Sequence, residues 1–217
     1  LEKGIVIDSD PGIWEILGAR FRLLNAGPVP RHLTASELVS QGYVDPIRIF
    51  VKNEPHSAEK IKDQRVRLIF EVSLVDEMLD RIGCTLQNQT EIENNASIPS
   101  KVGTGFSQEK ISEVREYVKS FGVAPDHNDM QGWDTSVQGW EFDLEAEHRA
   151  LLAGVTPDSP FAIYLSNIFY LRSYKVLILS DGTVLEQTER FYQPSGAYCT
   201  SSSNSRMRVS SHVMIGG

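Results

Sequence analysis

The sequence predicts an α+β fold, and three observations predict it. Segments with apolar residues at helical spacing are interspersed with short β-branched runs, without the steady strand and helix rhythm of a doubly wound parallel sheet. Of the 217 residues, 41% are apolar and 23% charged, which is a globular composition. No internal repeat marks a solenoid: Gln131-Gly132-Trp133, echoed by Gln138-Gly139-Trp140, is too short to define a structural unit.

Asp8-Ser9-Asp10-Pro11 offers capping groups and an N1 proline ahead of Ile13, Ile16, Leu17, Phe21 and Leu24, a first helix that Gly27-Pro28 stops. Thr34-Ala35-Ser36-Glu37 has capping-box spacing and starts a short second helix ending at Gly42. Ile47 to Val51 and Val66 to Phe70 are β-rich and bracket a basic loop. Ser73 caps a helix carrying Leu74, Met78, Leu79 and Ile82, and the polar stretch from Asn88 to Gly105 reads as irregular. Phe106-Ser107 opens a helix with Ile111, Val114, Val118 and Phe121 on one face, closed by Gly122. Val123 to Asp134 reads as a strand running into a turn.

Between 136 and 152, Val137, Trp140, Leu144 and Leu151 form an apolar stripe, and Glu141, Asp143, Glu145 and Glu147 read as its solvated face. The stretch 158–172 reads as helix. Lys175 to Leu179 and Val184 to Gln187 flank Asp181-Gly182, a dipeptide that suits a type I′ hairpin turn. A last helix begins near Thr200.

The longest aliphatic run, Val176 to Leu179, falls far short of the roughly 20 residues a membrane span needs. The first ten residues lack a secretion signal, so the sequons at Asn88 and Asn95 carry no weight. Cys84 and Cys199 are solitary, which excludes a CxxC zinc or redox pair. A Walker phosphate loop, an HExxH zinc pair and a GxSxG elbow are all absent, and the five histidines are scattered singly.

With 21 basic and 29 acidic residues the formal charge is -8, so any polyanion must meet a local patch rather than bulk attraction. Such a patch runs from Arg48 to Arg67: Arg48, Lys52, Lys60, Lys62, Arg65 and Arg67 stand against Glu54, Glu59 and Asp63. On charge alone a solvated surface explains it equally well. Asp126, Asp129 and Asp134 fall in one short segment, where carboxylates could hold Mg²⁺ or serve simply as turn and cap residues. In the segment from Gln193 to Arg208, a Ser-Gly turn precedes a helix on which Thr200, Asn204 and Arg208 recur every fourth residue. They therefore share one polar face, beside Arg206-Met207-Arg208.

Three ordered blocks together resemble the RNA-dependent RNA polymerases of positive-strand RNA viruses, most closely those of sobemoviruses and poleroviruses. Phe50 to His56 continuing to Arg65 to Ile69 looks like the fingers motif F. Asp129 to Gln138 looks like palm motif A. Ser195-Gly196, Thr200 and Asn204 match the motif B pattern SGxxxTxxxN in full.

The resemblance implies a right-hand architecture: fingers over 1–72, palm over 73–155, a fingers insertion over 156–192, and a resumed palm over 193–217, with the thumb absent. It implies template-directed transfer of ribonucleotides to an RNA 3′-hydroxyl by two-metal chemistry. Asp129 would ligate catalytic Mg²⁺ (or Mn²⁺). Asp134 and Asn204, with Ser195 and Thr200, would read the ribose 2′-hydroxyl. Lys52, Arg65 and Arg67 would neutralise the triphosphate, and Gly196 would let the backbone approach template or nucleotide. Implied partners are RNA template and nascent strand, ribonucleoside triphosphates and other viral replication proteins, in a replication complex of the host cytoplasm. The sequence departs from the family pattern in one respect: motif C, usually Gly-Asp-Asp, has no counterpart, and no aspartate follows Asp181. That predicts a truncated chain without turnover, and keeps a non-catalytic RNA- or nucleotide-binding role open. A hydrolase built on Asp129 and Asp134 explains neither the basic loop nor the Ser-Gly helix.

Overall fold

A computed structural model describes residues 7, 9–63, 66–105, 107–122 and 132–214. Helices α1 (Gly12–Asn25) and α2 (Ala35–Ser40) precede strand β1 (Ile47–Val51), the short helix α3 (Ala58–Lys62) and strand β2 (Leu68–Glu71). Helices α4 (Leu74–Glu93), α5 (Gln108–Lys119), α6 (Trp133–Ser136), α7 (Gly139–Leu152) and α8 (Pro160–Ser173) follow. The hairpin β3 (Val176–Leu179) and β4 (Val184–Glu186) then leads to α9 (Thr200–Met214). The architecture is mixed α+β, as the alternation of patterns predicts.

Local capping chemistry sets several boundaries. Asp10 accepts from the Gly12 amide at 2.9 Å at the start of α1. At α2 the reciprocal box forms: Thr34 N–H donates to Glu37 Oε2 at 2.7 Å, and Glu37 N–H to Thr34 Oγ1 at 3.2 Å. Ser73, Ser107 and Ser159 cap α4, α5 and α8 through the amides of Asp76, Lys110 and Ala162.

Helix α8 is apolar around most of its circumference, a pattern that belongs in a core. Tyr164, Leu165, Phe169, Tyr170 and Leu171 are all buried there. Two of its polar side chains are satisfied by distant backbone. Asn167 donates to the carbonyls of Leu24 (2.9 Å) and Gly27 (2.8 Å) and accepts from the Val29 amide (2.8 Å), while Tyr164 Oη donates to Leu79 O at 2.7 Å. Gly83 lets α4 approach closely, since a Cβ there would stand 3.1 Å from both Ile168 and Tyr164.

The sheet has the order β2-β1-β3-β4, with β1 antiparallel to β2, parallel to β3, and β3 antiparallel to β4. Ile47, Ile49, Phe70 and Val72 form a second small core with Ala197, the residue after the Ser-Gly turn. The sheet therefore supports the approach to α9.

Three expectations are corrected. Helix α4 does not end near Ile82 but continues to Glu93, through residues that read as irregular. One face of its polar second half, Gln87, Asn88 and the buried Glu91, meets charged partners, so polarity there marks an interface. Over 136–152 the expected faces hold only in part: Val137 is buried and Glu147 exposed, but Trp140 and Leu151 are exposed, whereas Glu141 and Glu145 are buried. The β3–β4 turn is not type I′, because Gly182 has φ 89° while Asp181 stays out of the left-handed region. Gly182 N–H instead closes on Leu179 O at 3.0 Å and Leu179 N–H on Thr183 O at 2.9 Å, with only the glycine left-handed.

Candidate active site

The basic arm is the β1–β2 connection. Lys52 N–H donates to Arg67 O at 2.8 Å, continuing the strand pairing, and draws the two cations to one place. Glu54 lies between them: Lys52 Nζ stands 2.7 Å from Oε2 and an Arg67 terminal nitrogen 3.2 Å from Oε1. The hydrogen bond from Lys52, aided by the Arg67 charge, holds the Glu54 carboxyl below its ordinary range. All three side chains reach solvent, so the pair is a screened contact that a polyanion can compete for. Arg65 lies outside the described residues.

The Ser-Gly turn sits against β2. A Cβ on Gly196 would overlap the Phe70 carbonyl and stand 3.2 Å from its carbon and 3.7 Å from Glu71 Cα. The residue is glycine, then, because strand backbone occupies its side-chain space. Thr200 turns its hydroxyl back onto the same turn, to Pro194 O at 2.9 Å and Ala197 O at 2.8 Å, and braces it. Ser195 is exposed at its crest. One turn beyond Thr200, Asn204 has a buried Oδ1 with no hydrogen-bond partner among the described residues.

Asp134 belongs to α6, which starts after the left-handed Gly132 (φ 66°). Its carbonyl accepts from the Gln193 amide at 2.8 Å, and Val137 O accepts from the Tyr192 amide at 2.9 Å. These two bonds tie the segment bearing Asp134 to the residues just before Ser195. Between them Tyr192 is held at φ 73°, strained for a non-glycine residue. The Asp134 carboxylate has no hydrogen-bond or ion-pair partner among the described residues, and burial raises its pKa. That negative charge and burial together raise the pKa of the Tyr192 phenol. Gln193 is fully buried, and among the described residues neither its amide atoms nor Trp133 Nε1 has a hydrogen-bond partner. Asp129 and Asp126 lie outside the described residues, as does all but the end of the strand and turn expected over 123–134, and that end enters helix α6.

Sequence reasoning missed what holds α9 from behind. Glu145 is 1% exposed and accepts from Arg149 Nε (2.9 Å), from Arg206 Nε (3.0 Å) and a terminal Arg206 nitrogen (2.8 Å), and from Ser203 Oγ (3.0 Å). Arg206 also reaches Glu91 at 3.1 Å, and Arg149 reaches Asn88 Oδ1 at 3.2 Å and Ser202 Oγ at 3.0 Å. Arg206, which lies beside the expected polar face of Thr200, Asn204 and Arg208 in the sequence, turns inward. The Glu145 to Arg149 spacing of four residues was the one available signal, and on a helix surface such pairs are commonplace.

Among the described residues no three carboxylate, imidazole or thiol groups gather as a metal cage. A groove of about 1140 Å³, lined by Arg31, Asp143, Tyr170 and Arg190 among others, lies along α7 and α8 and is bordered by none of the motif residues. No described helix is long and apolar enough to cross a membrane.

A small mixed sheet bearing a basic hairpin packs against a Ser-Gly turn that is also hydrogen-bonded to the Asp134 segment and opens a polar helix. Comparison with known proteins identifies the family. Residues 29–121 and 160–217 match the family described as viral RNA-directed RNA polymerase, and the chain belongs to that family. It is 40% identical over 203 residues to the RNA-directed RNA polymerase of Mushroom bacilliform virus (isolate Australia/AUS LF-1), across 91% of this chain and 48% of that protein. It is 37% identical over 205 residues to replicase polyprotein P2AB of Southern bean mosaic virus, across 89% of this chain and 20% of that one. Against protein P1-P2 of Potato leafroll virus the identity is 40% over 194 residues, across 82% and 18%. The chain thus spans about half the length of the first of these relatives and about a fifth of the other two. The resemblance to sobemovirus and polerovirus polymerases is borne out.

Proposed function

We propose that the chain forms the fingers and part of the palm of an RNA-dependent RNA polymerase that replicates a viral genome in the host cytoplasm. The observation that carries this reading is the Gln193 N–H to Asp134 C=O bond of 2.8 Å, which joins the proposed motif A segment to the turn that opens the proposed motif B. Beside that bond an exposed serine and a carboxylate with no partner among the described residues are available to a ribose, and one turn beyond Thr200 the buried Asn204 amide oxygen likewise has no partner among them. Lys52 and Arg67 supply positive charge for the triphosphate once Glu54 is displaced.

The donor set suits a hard divalent cation. Asp134 is a half-buried carboxylate without a cation of its own, and Mg²⁺ takes one or two protein carboxylates together with substrate phosphates. Asp129 would hold Mg²⁺ or Mn²⁺, which lowers the pKa of a 3′-hydroxyl and stabilises the leaving pyrophosphate. The protein's own part is to orient the sugar through Asp134, Asn204 and Ser195 and to brace the turn through Thr200.

On this reading the chain is expected to bind nucleotide and RNA. Titration with a single-stranded RNA and with ATP in Mg²⁺ tests the reading. Binding that weakens with salt, and that falls in Lys52→Ala and Arg67→Ala, is expected; salt-insensitive or absent binding would refute it.

A further inference from the structure

Helix α9 presents two faces to two different environments. Ser202, Ser203 and Arg206 point into the buried charge network, while Thr200, Asn204 and Arg208 lie about 150° around the axis, at about 100° per residue. The rotation of α9 about its own axis decides where the Asn204 amide points.

Polar contacts, more than apolar packing, fix that rotation: Ser202 Oγ donates to Asn88 and accepts from Arg149, and Ser211 Oγ donates to Glu141. The helix is largely polar, and only Ser202, Ser203 and Met207 are buried along it. Apolar packing through one methionine leaves the azimuth loosely set, whereas a forked guanidinium fixes it by direction as well as distance. Arg206 places Nε and a terminal nitrogen on Glu145 and its other terminal nitrogen on Glu91, so one side chain of α9 is bound at once to α7 and α4. Ser203 adds a bond to the same Glu145 oxygen that Arg149 holds. On the far side, Asn204 Oδ1 stays buried with its acceptor capacity unused. A buried acceptor without a partner is unfavourable unless something else holds it there, and the network is what holds it.

We infer that Glu145, Arg206 and Ser203 are positioning residues for sugar selection: by fixing the rotation of α9 they aim Asn204 at the ribose 2′-hydroxyl. The inference rests on the polymerase reading and goes beyond it, since none of the three belongs to the SGxxxTxxxN pattern. Arg206→Lys keeps the charge and loses the fork; Ser203→Ala removes one bond and little else. In both, α9 turns or wavers, and the chain loses preference for ribose without losing affinity for triphosphate, which the basic arm supplies.

The test measures equilibrium binding of ATP and 2′-deoxy-ATP to the wild-type chain in Mg²⁺, then to Arg206→Lys, Ser203→Ala and, as a matched destabilised control, Leu38→Ala. Leu38 is fully buried in α2, away from α9. The wild type should prefer ATP by about five- to tenfold, the contribution of one well-placed hydrogen bond. That preference should fall toward unity in Arg206→Lys and drop part of the way in Ser203→Ala. Leu38→Ala should retain it. Wild-type preference that persists in folded Arg206→Lys and Ser203→Ala overturns the inference and leaves the polymerase reading standing; if Arg206→Lys fails to fold, Ser203→Ala decides. Equal wild-type binding of the two nucleotides overturns the inference, and a wild type that binds neither overturns the polymerase reading with it.

Discussion

Gly196→Ala isolates one contact. The position is not among those with positive φ, so alanine meets no backbone strain, and the whole effect must come from the Cβ against Phe70. That Cβ would lie 3.2 Å from the Phe70 carbonyl carbon. With a carbonyl bond of about 1.2 Å aimed toward it, the oxygen falls about an ångström inside ordinary contact. The oxygen cannot swing aside freely, because Phe70 is paired with Ile49 in the sheet. The turn must therefore back away, which pulls on the Thr200 bonds to Pro194 and Ala197.

Overpacking of this kind costs about 1–3 kcal/mol, and the strained Thr200 bonds add about 1 kcal/mol. For a chain of this length the sum corresponds to a Tm lower by about 4–16 °C. Thermal denaturation followed by circular dichroism reads it. Gly122→Ala is the comparison: that residue has φ 68° with nothing among the described residues within 4 Å of its Cβ, so its cost is conformational, about 1 kcal/mol. A Gly196→Ala chain as stable as wild type would refute the claim that strand backbone occupies this space.

Three further outcomes are expected. Glu145→Gln leaves Arg149 and Arg206 facing each other without their shared carboxylate and should cost about 3–5 kcal/mol in urea denaturation, far more than a surface Glu→Gln change. Lys175 is 1% exposed, donates to the carbonyls of Phe191 and Tyr192, and has its pKa pushed well below the usual lysine value by burial and by Arg172. The unfolded chain then binds more protons between the lowered value and 10.5, so stability should rise with pH in that window, and parallel curves for wild type and Lys175→Met would contradict the assignment. Glu54→Gln frees Lys52 and Arg67, and should raise RNA affinity several-fold and steepen the dependence of log affinity on log salt by about one charge, read by fluorescence anisotropy.

What was legible in the sequence was what short stretches of chain decide. Thr34 with Glu37, Ser73 and Ser107 each find their amide partners within three residues, so the start of each helix can be read from spacing. The β1–β2 pair and the Ser-Gly turn before a polar helix were equally readable. Burial was not, wherever charge was concerned. Glu145 looks like a surface acid until Arg206, 61 residues later, folds onto it. The same network drew the second half of α4 out of the irregular category, because Asn88 and Glu91 serve partners on α7 and α9. For the candidate site, the residue types at Asp134, Thr200 and Asn204 were readable. The bracing role of Thr200 is local, to Pro194 and Ala197, but the steric reason for Gly196 needed a strand contributed from more than a hundred residues away.

The parallel pairing of β1 with β3 has a consequence for synthesis. Ile47 waits for Leu177, about 130 residues later in the chain. At about 5–20 residues per second the ribosome takes roughly 7–26 s to deliver that partner. For that interval the β1–β2 hairpin has one open flank with apolar Ile47 and Ile49 on it. Nascent chains are at their stickiest then, and a holding chaperone present during translation should raise the yield of folded protein more than one added after release.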